Sequence, residues 1–354
     1  MVDASKSPAN IRTVAKRAHV SIATVSRVMN GITTVDSKIA ARVMKAAADL
    51  EYTPNTQARA LVSGKSGMIG LIVSEITNPF FPELIQQFED ETVKRGYEML
   101  IGSTNYSTAR MTQCIRRMLE RKVEGVAVMT FGMDEALLLE LSRRGIPVAS
   151  VGTPDIDSIT TIEVNHRQGI QEAIQHLAVM GHRAISYIGG SLDLLVGRQR
   201  QDAYIQSMAQ IGIPVTPDQI VQGDHTMDGG VAAGERIFAS GSIPTAILCY
   251  NDLTAIGLLH VISRHGLRVP EDISVIGFDD IHMAQFTVPP LTTIRMSCST
   301  LATTALDALC LGSSQKPPAP IPVVPTHLIV RQTSGYPRQG MPAVRTSSAS
   351  PVTV

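Results

Sequence analysis

From Met68 onward the hydrophobic positions come in short blocks. "MIGLIVSEI", "EMLIGST", "GVAVMT", "PVASVG", "AISYIGG", "TAILCYN" and "ISVIGFDD" are mostly apolar runs, separated by amphipathic segments such as Phe81 to Arg95 and Gln168 to Met180. Short apolar runs of this kind belong to strands buried on both faces, and their alternation with helical periodicity predicts βαβ units and a parallel sheet. The run count and chain length exceed what one open sheet holds, so two Rossmann-like lobes with a cleft between them are expected.

Ahead of Met68 the period is helical. Ile11, Val14, Ala15 and Ala18 fall at helical spacing behind Asn10, a good N-cap, while Arg12, Lys16 and Arg17 face outward. Ser21 opens a second short helix with Val25 and Val28 inward and Ile22, Ala23, Ser26 and Arg27 on the outer side; Asn30-Gly31 stops it. A third helix behind Asp36 carries Ile39, Val43, Ala46 and Leu50 on one stripe, enough to close a core around Val14, Val20 and Val25. Two short helices meeting at a tight turn form a helix-turn-helix, whose second helix enters the DNA major groove.

Charge sharpens this. The chain of 354 residues is formally neutral, yet residues 1–65 hold ten Lys/Arg against four Asp/Glu, and the remainder holds 21 against 27. A basic segment ahead of an acidic body is the footprint of a nucleic-acid reader joined to another module; on charge alone a solvated helical face fits as well. No window reaches the roughly 18 apolar residues of a spanning helix, and "MVDASKSPANIR" has no apolar stretch behind its charges. A cytosolic chain without a membrane partner is therefore expected. Cys114, Cys249, Cys298 and Cys310 make no CxxC pair and sit among apolar or small residues, which points to reduced, buried thiols, with no metal and no cofactor.

"TVAKRAHVSIATVSRVMNG", followed by "EYTPNTQARALVSGK", resembles the headpiece and hinge of the LacI/GalR family of bacterial transcriptional repressors, and the likeness runs nearly to the C-terminus. The resemblance implies an α/β protein: a three-helix helix-turn-helix headpiece (10–54), a hinge helix and linker (55–65), then a two-lobed periplasmic-binding-protein-like core of doubly wound parallel sheets. The first lobe would take 66–164 plus 296–323 and the second 165–292 plus 324–335, leaving a polar, disordered tail at 336–354. By the same likeness Ile22 and Ala23 are the base-reading pair and Arg27 the third major-groove contact, with Ser21, Thr24, Ser26, Asn30 and Asn55 completing the DNA-facing set. Arginine bridging guanine and small apolar groups against thymine methyl agree with this; a local core role for Ile22 and a phosphate contact for Arg27 are the alternatives. His19 departs from the family's usual glycine at the turn, where a positive φ is called for.

Pro54 ends the third helix, and Asn55 to Val62 forms at most a short helix with Ala58 and Leu61 on one side, too short to stand alone. A plain flexible linker is the other reading. The resemblance makes it the hinge helix that pairs with its dimer mate, with Ala58 at the helix contact and Leu61 wedged into the minor groove.

In open α/β sheets ligands sit beyond the carboxyl ends of the strands. After the first run comes "TNPFFPEL", with Phe80 and Phe81 expected exposed at a helix start, Phe81 covering a ligand face and Phe80 leaning toward the core. By the resemblance Arg200 grips the effector, Asn251 and Asp279 stand at strand ends as further contacts, and His225 takes the place of a stacking aromatic. Capping roles for Asn251 and Asp279, and a surface-loop role for His225, stay open. Leu194 and Val196 are apolar where purine-responsive members are polar, which disfavours a purine and leaves a sugar or sugar derivative as the expected effector.

No GxSxG elbow, GxxxxGK[ST] loop or strand-borne GxGxxG is present, so no catalytic residue is named. Two alternatives of another class remain: a sugar-processing enzyme with Asp279 or Asp280 as base, and a solute-binding protein. The expected partners are a pseudo-palindromic duplex operator, a small-molecule effector and a second copy of the chain.

Overall fold

In a computed structural model of the chain, the structure describes residues 9–29, 34–53, 65–130, 135–151, 159–309 and 323–338. The chain divides into two compact units, Met1–Ser66 and Gly67–Val354.

Unit 1 contains α1 (Ile11–Ala18), α2 (Ile22–Met29) and α3 (Ser37–Asp49). Each start is chemically marked. Asn10 Oδ1 accepts from the amides of Arg12 and Thr13 at 3.0 and 3.1 Å, and Thr13 Oγ1 accepts in return from the Asn10 amide at 2.9 Å, a reciprocal capping box. Ser21 Oγ accepts from Thr24 N–H at 3.1 Å, and Asp36 caps α3 through Lys38 and Ile39. His19 takes the left-handed conformation, φ 52° and ψ 48°, while the Val20 amide reaches back to the Ala15 carbonyl at 3.0 Å. The turn keeps its geometry without glycine, at about 1–2 kcal/mol. Val14, Ala18, Val25 and Val43 are fully buried with Ala15, Ala46 and Ala47 around them, so small side chains let the three helices approach closely.

Unit 2 holds two sheets. β1 (Met68–Val73), β2 (Glu98–Ser103), β3 (Val126–Met129), β4 (Val148–Val151) and β5 (Thr160–Ile162) form one, all parallel, in the order β2-β1-β3-β4-β5. The second contains β6 (Val164–Asn165), β7 (Ile185–Gly189), β8 (Ile220–Gln222), β9 (Ala246–Cys249), β10 (Ser274–Asp279), β11 (Thr292–Met296) and β12 (Val324–Ile329). Its order is β6-β12-β11-β10-β9-β7-β8, antiparallel only between β11 and β12. Both sheets thus contain the doubly wound order 2-1-3-4-5. Their switch points lie between β1 and β3 and between β7 and β9, where such sheets bind ligands. The intervening helices are α4 (Phe80–Lys94), α5 (Thr108–Glu120), α6 (Glu135–Arg143), α7 (His166–Val179), α8 (Leu195–Gln210), α9 (Met227–Ala239), α10 (Asp252–Arg264) and α11 (Cys298–Ala308). β1 shows why its sequence is apolar without alternation: Ile69, Leu71 and Val73 pack into one core cluster and Ile72 into the other, so both faces are covered.

Two sequence expectations need correcting. Phe80 and Phe81 are not exposed; they are 6% and 4% accessible, edge to face at 5.4 Å, within the larger core cluster. Asn78 Oδ1 accepts the Phe80 amide at 3.1 Å and turns the chain into α4 at once, so Phe80, Leu84 and Phe88 form a single buried stripe. The segment from residue 336 was expected to be disordered, but its first residues are anchored: Arg338 pairs with Asp272 at 3.1 Å. Residues beyond 338 lie outside those described. Among the cysteines, Cys114 and Cys249 are buried free thiols, Cys298 is only partly covered, and Cys310 lies outside the described residues.

α9 and α10 pack along their lengths because Gly230 offers no Cβ; one added there would sit 2.3 Å from the Thr254 carbonyl oxygen. Backbone cannot yield as a side chain can. Gly230→Ala is expected to cost about 1–3 kcal/mol, seen as a lowered melting temperature; an unchanged melt would contradict this packing.

The C-terminal segment is held by two histidines. His182, fully buried, contacts Thr245 Oγ1 through Nδ1 at 2.9 Å and the Gly335 carbonyl through Nε2 at 2.8 Å, while His176 Nε2 lies 2.9 Å from Ser334 Oγ. Burial lowers the pKa of both imidazoles. The unfolded chain titrates near 6.5, so it binds protons that the folded state refuses, and stability falls as pH drops below about 6.5, by at most ~1.4 kcal/mol per pH unit per histidine. Denaturation at pH 7.5 and 5.5 should show a shallower pH dependence in His182→Gln than in the native chain; identical slopes would contradict the assignment.

Candidate functional site

In unit 1 the side chains assigned to DNA lie on the outer side of α2. Val25 is fully buried and fixes the helix against the core, while Ser21, Ile22, Ala23 and Arg27 are exposed and Thr24 and Ser26 half-buried. Ile22 is 46% accessible, so the core role considered for it does not hold. An exposed branched apolar group in the first turn and an exposed arginine in the last turn of one short helix offer thymine-methyl contact and a guanine-bridging fork. Asn30, Asn55, Ala58 and Leu61 lie outside the described residues.

In unit 2 the remaining candidates gather at the carboxyl ends of the strands. Arg200, on α8, is 4% accessible and donates from Nη1 to the Tyr250 carbonyl at 2.7 Å and from Nη2 to Asp279 Oδ1 at 3.3 Å. Its guanidinium lies 3.6 Å over the Phe278 ring and 4.9 Å from that of Tyr250, the cation–π setting that arginine's flat, weakly hydrated head suits. Asp279 ends β10 with φ 111°. Burial raises its pKa to about 6 against the pull of Arg200, and Glu83 adds to the rise. Val196 is buried in the first turn of α8.

Asn251 serves as a cap: Oδ1 accepts Thr254 N–H at 2.9 Å, and Nδ2 donates to the His225 carbonyl at 2.8 Å. It therefore positions the His225 loop as well as α10. His225 has φ 67° and its ring lies 5.0 Å from that of Tyr106. Phe80 and Phe81, buried in the core, offer no open ring face. Asp280, the other base considered for an enzyme, is held by Arg295 and Arg331, each at 2.6 Å.

Several site groups escaped the sequence reading. Ser74, Thr104 and Thr130 follow β1, β2 and β3 and form a buried hydroxyl cluster, with Ser74 to Thr130 at 2.8 Å. His166 opens α7, buried, its ring 5.7 Å from Phe278. Burial, and after it Arg200, lowers its pKa well below the ordinary histidine range. Asp252 is fully buried and accepts from Ile281 N–H at 2.9 Å and from Thr293 Oγ1, fixing the turn that carries Asp279. Looking one residue past β2, β3 and β6, as was done for other strands, finds Thr104, Thr130 and His166. Asp252 carries no such signal, since "YNDL" reads only as a helix start.

Polar capacity is left over here. Among the described residues, Arg200 Nε, His166 Nδ1 and His225 Nδ1 are buried without a hydrogen-bond partner, an arrangement that leaves donors and acceptors for a bound molecule. The two layers also touch: His282 N–H, after β10, donates to Glu83 Oε1 on α4 at 2.7 Å.

Comparison with known proteins agrees with both halves. Residues 10–55 match the model of bacterial regulatory proteins, lacI family, and residues 174–334 match the periplasmic binding protein-like domain. The chain is 34% identical to the HTH-type transcriptional repressor PurR of Photobacterium profundum over 303 residues, 85% of this chain and 91% of the relative. It is 31% identical to catabolite control protein A of Priestia megaterium over 283 residues, 79% of this chain and 85% of the relative. Among solved structures, a lac repressor dimer bound to operator and the anti-inducer ONPF superposes with TM-score 0.82 at 26% identity, covering 93% of this chain and all of that one. The transcriptional regulator CelR in complex with cellobiose gives 0.67 at 26%, covering 92% and 100%. With a capped helix-turn-helix joined to a doubly wound two-sheet unit, and with these matches over both, the chain belongs to the lacI family of bacterial regulatory proteins, as a DNA-binding transcriptional repressor.

Proposed function

We propose that the repressor acts as a homodimer presenting two α2 helices to the half-sites of a pseudo-palindromic operator, and that a sugar or sugar derivative bound between the two sheets switches its affinity. The observation that carries the switch is that Arg200 Nε, His166 Nδ1 and His225 Nδ1, all on segments that follow strands of the second sheet, are buried without a hydrogen-bond partner among the described residues. Arg200 is already neutralised by Asp279, so an uncharged polyol meets donors and acceptors with no excess charge to balance. Val196, buried and apolar, offers nothing to the ring nitrogens of a purine. Binding in the cleft shifts the layers joined through Glu83 and His282, and a coupling of roughly 1 to 3 kcal/mol suffices to change operator occupancy. An operator partner sets the chain's workplace in the cytoplasm.

The test is a thermal-shift panel of aldoses, disaccharides, sugar phosphates and purine bases. At least one neutral sugar should raise the melting temperature, and the purines should not; stabilisation by purines alone would overturn the effector assignment. The exposed Arg12, Lys16, Arg17 and Arg27 of unit 1 predict a steep loss of DNA affinity with salt, the logarithm of the binding constant falling linearly with that of salt concentration. A flat dependence between 50 and 200 mM salt, roughly the range over which such contacts are lost, would contradict this.

A further inference from the structure

Two rings close on each other across the cleft. Tyr106 stands in the turn between β2 and α5, and His225 in the turn between β8 and α9. β2 and β8 are the edge strands of their respective sheets, so the rings belong to opposite layers, and they lie 5.0 Å apart with a tilt of 43°. Both residues hold left-handed backbone, φ 57° for Tyr106 and 67° for His225, and Asn105 beside Tyr106 does so at 47°. Side chains bearing a Cβ avoid this region, and where several collect, the surroundings enforce it, most often at a functional site.

The enforcing contacts are visible. Tyr106 Oη donates to Glu75 Oε1 at 3.1 Å, and the other oxygen of that carboxylate accepts from Thr77 Oγ1 at 2.6 Å. On the opposite layer the His225 carbonyl is held by Asn251 at 2.8 Å. Each ring is thus steered by residues at the carboxyl ends of the strands, where the effector site lies. His225 Nδ1 is buried without a partner among the described residues, while Tyr106 is still 37% accessible. The histidine face is covered, and the cover has one open side.

We propose that Tyr106 is the gate of the effector site: it occupies the stacking face of His225, and an effector has to displace it to stack there. This rests on the cleft being the effector site. A ligand with a ring face, such as a pyranose, replaces the tyrosine contact, whereas an open-chain polyol leaves the imidazole uncovered; the gate therefore selects cyclic ligands.

The chain contains no tryptophan, so His225→Trp installs a single fluorophore at the gate. Acrylamide quenching should rise several-fold when Tyr106→Ala is added to it, and stay low with Tyr106→Phe. Equal quenching with and without the Tyr106 ring overturns the gate. Because tryptophan strains that backbone position, the native histidine is followed as well, in 13C-histidine spectra assigned with His225→Gln. Its ring protons should move downfield in Tyr106→Ala and not in Tyr106→Phe, and an unmoved signal overturns the gate independently. Neither measurement needs a ligand. Failure of every sugar in the thermal-shift panel would overturn the effector reading while leaving the ring contact standing.

Discussion

Arg200→Ala is expected to abolish the effector response and to destabilise unit 2, the second effect depending on pH. Removing the guanidinium deletes Nε–H, a charged donor left without a protein partner among the described residues and worth about 1.5–3 kcal/mol to a bound effector, so effector affinity should fall about 10- to 150-fold. It also strands Asp279, 8% accessible, and breaking a buried pair costs about 3–5 kcal/mol. That cost has a defined pH profile. Asp279 already titrates at about 6 in the folded chain, against roughly 3.9 when unfolded, so the folded state holds a proton that the unfolded state releases, and stability drops as pH rises through that window. Without the pull of Arg200 the folded pKa climbs further and the window extends upward. The variant should therefore lose little at pH 5 and most at pH 8, as read by urea denaturation; equal losses at both would contradict the pairing.

The second large effect concerns DNA. Arg27→Ala should leave unit 1 folded, because the side chain is exposed while Val25 on the same helix fills the core. Operator preference should relax at one position in each half-site, by the roughly 1–3 kcal/mol that a bidentate arginine–guanine contact contributes, which is about 5- to 150-fold in base discrimination. Selection from a randomised site library would show it as a flattened column. A preference unchanged in every column, with only uniformly weaker binding, would reassign Arg27 to the phosphates.

How far the sequence reached depends on burial. The seven apolar runs lie in β1, β2, β3, β4, β7, β9 and β10; all but the edge strand β2, where Gly102 alone is buried, are largely covered on both faces, where the chain has little choice of residue. Five strands went unread. β5 is "TTI", β6 "VN" and β8 "IVQ", two or three residues each, while β11 "TTIRM" and β12 "VPTHLI" are broken by threonine, arginine, histidine or proline. In these the pairing comes from neighbours and not from local pattern. The helix caps Asn10, Ser21 and Asp36 were legible because capping is a short-range matter of side chain to amide.

The sites divide in the same way. Arg200 and Asp279 were found from the likeness and the strand-end rule, but their ion pair spans 79 residues of chain and belongs to tertiary packing. Phe81 was misjudged because an aromatic at a helix start was weighed as a ligand contact; for Phe80 the core reading prevails, since "FFPELIQQF" carries the four-residue spacing of the buried stripe it joins. Asn251 resolved into the cap that was its alternative reading, and Tyr106 went unnoticed because nothing local marks a ring that meets His225 from another sheet.

The most direct test of the account is selection of random duplexes by the purified full-length chain, read by sequencing. A two-fold-related site, with matched half-sites at fixed spacing and a base preference that flattens in Arg27→Ala, is the predicted result. Enrichment of a single unpaired half-site would contradict the dimer, and no enrichment at low salt, with or without the sugar that stabilises the chain in the thermal panel, would contradict operator recognition itself.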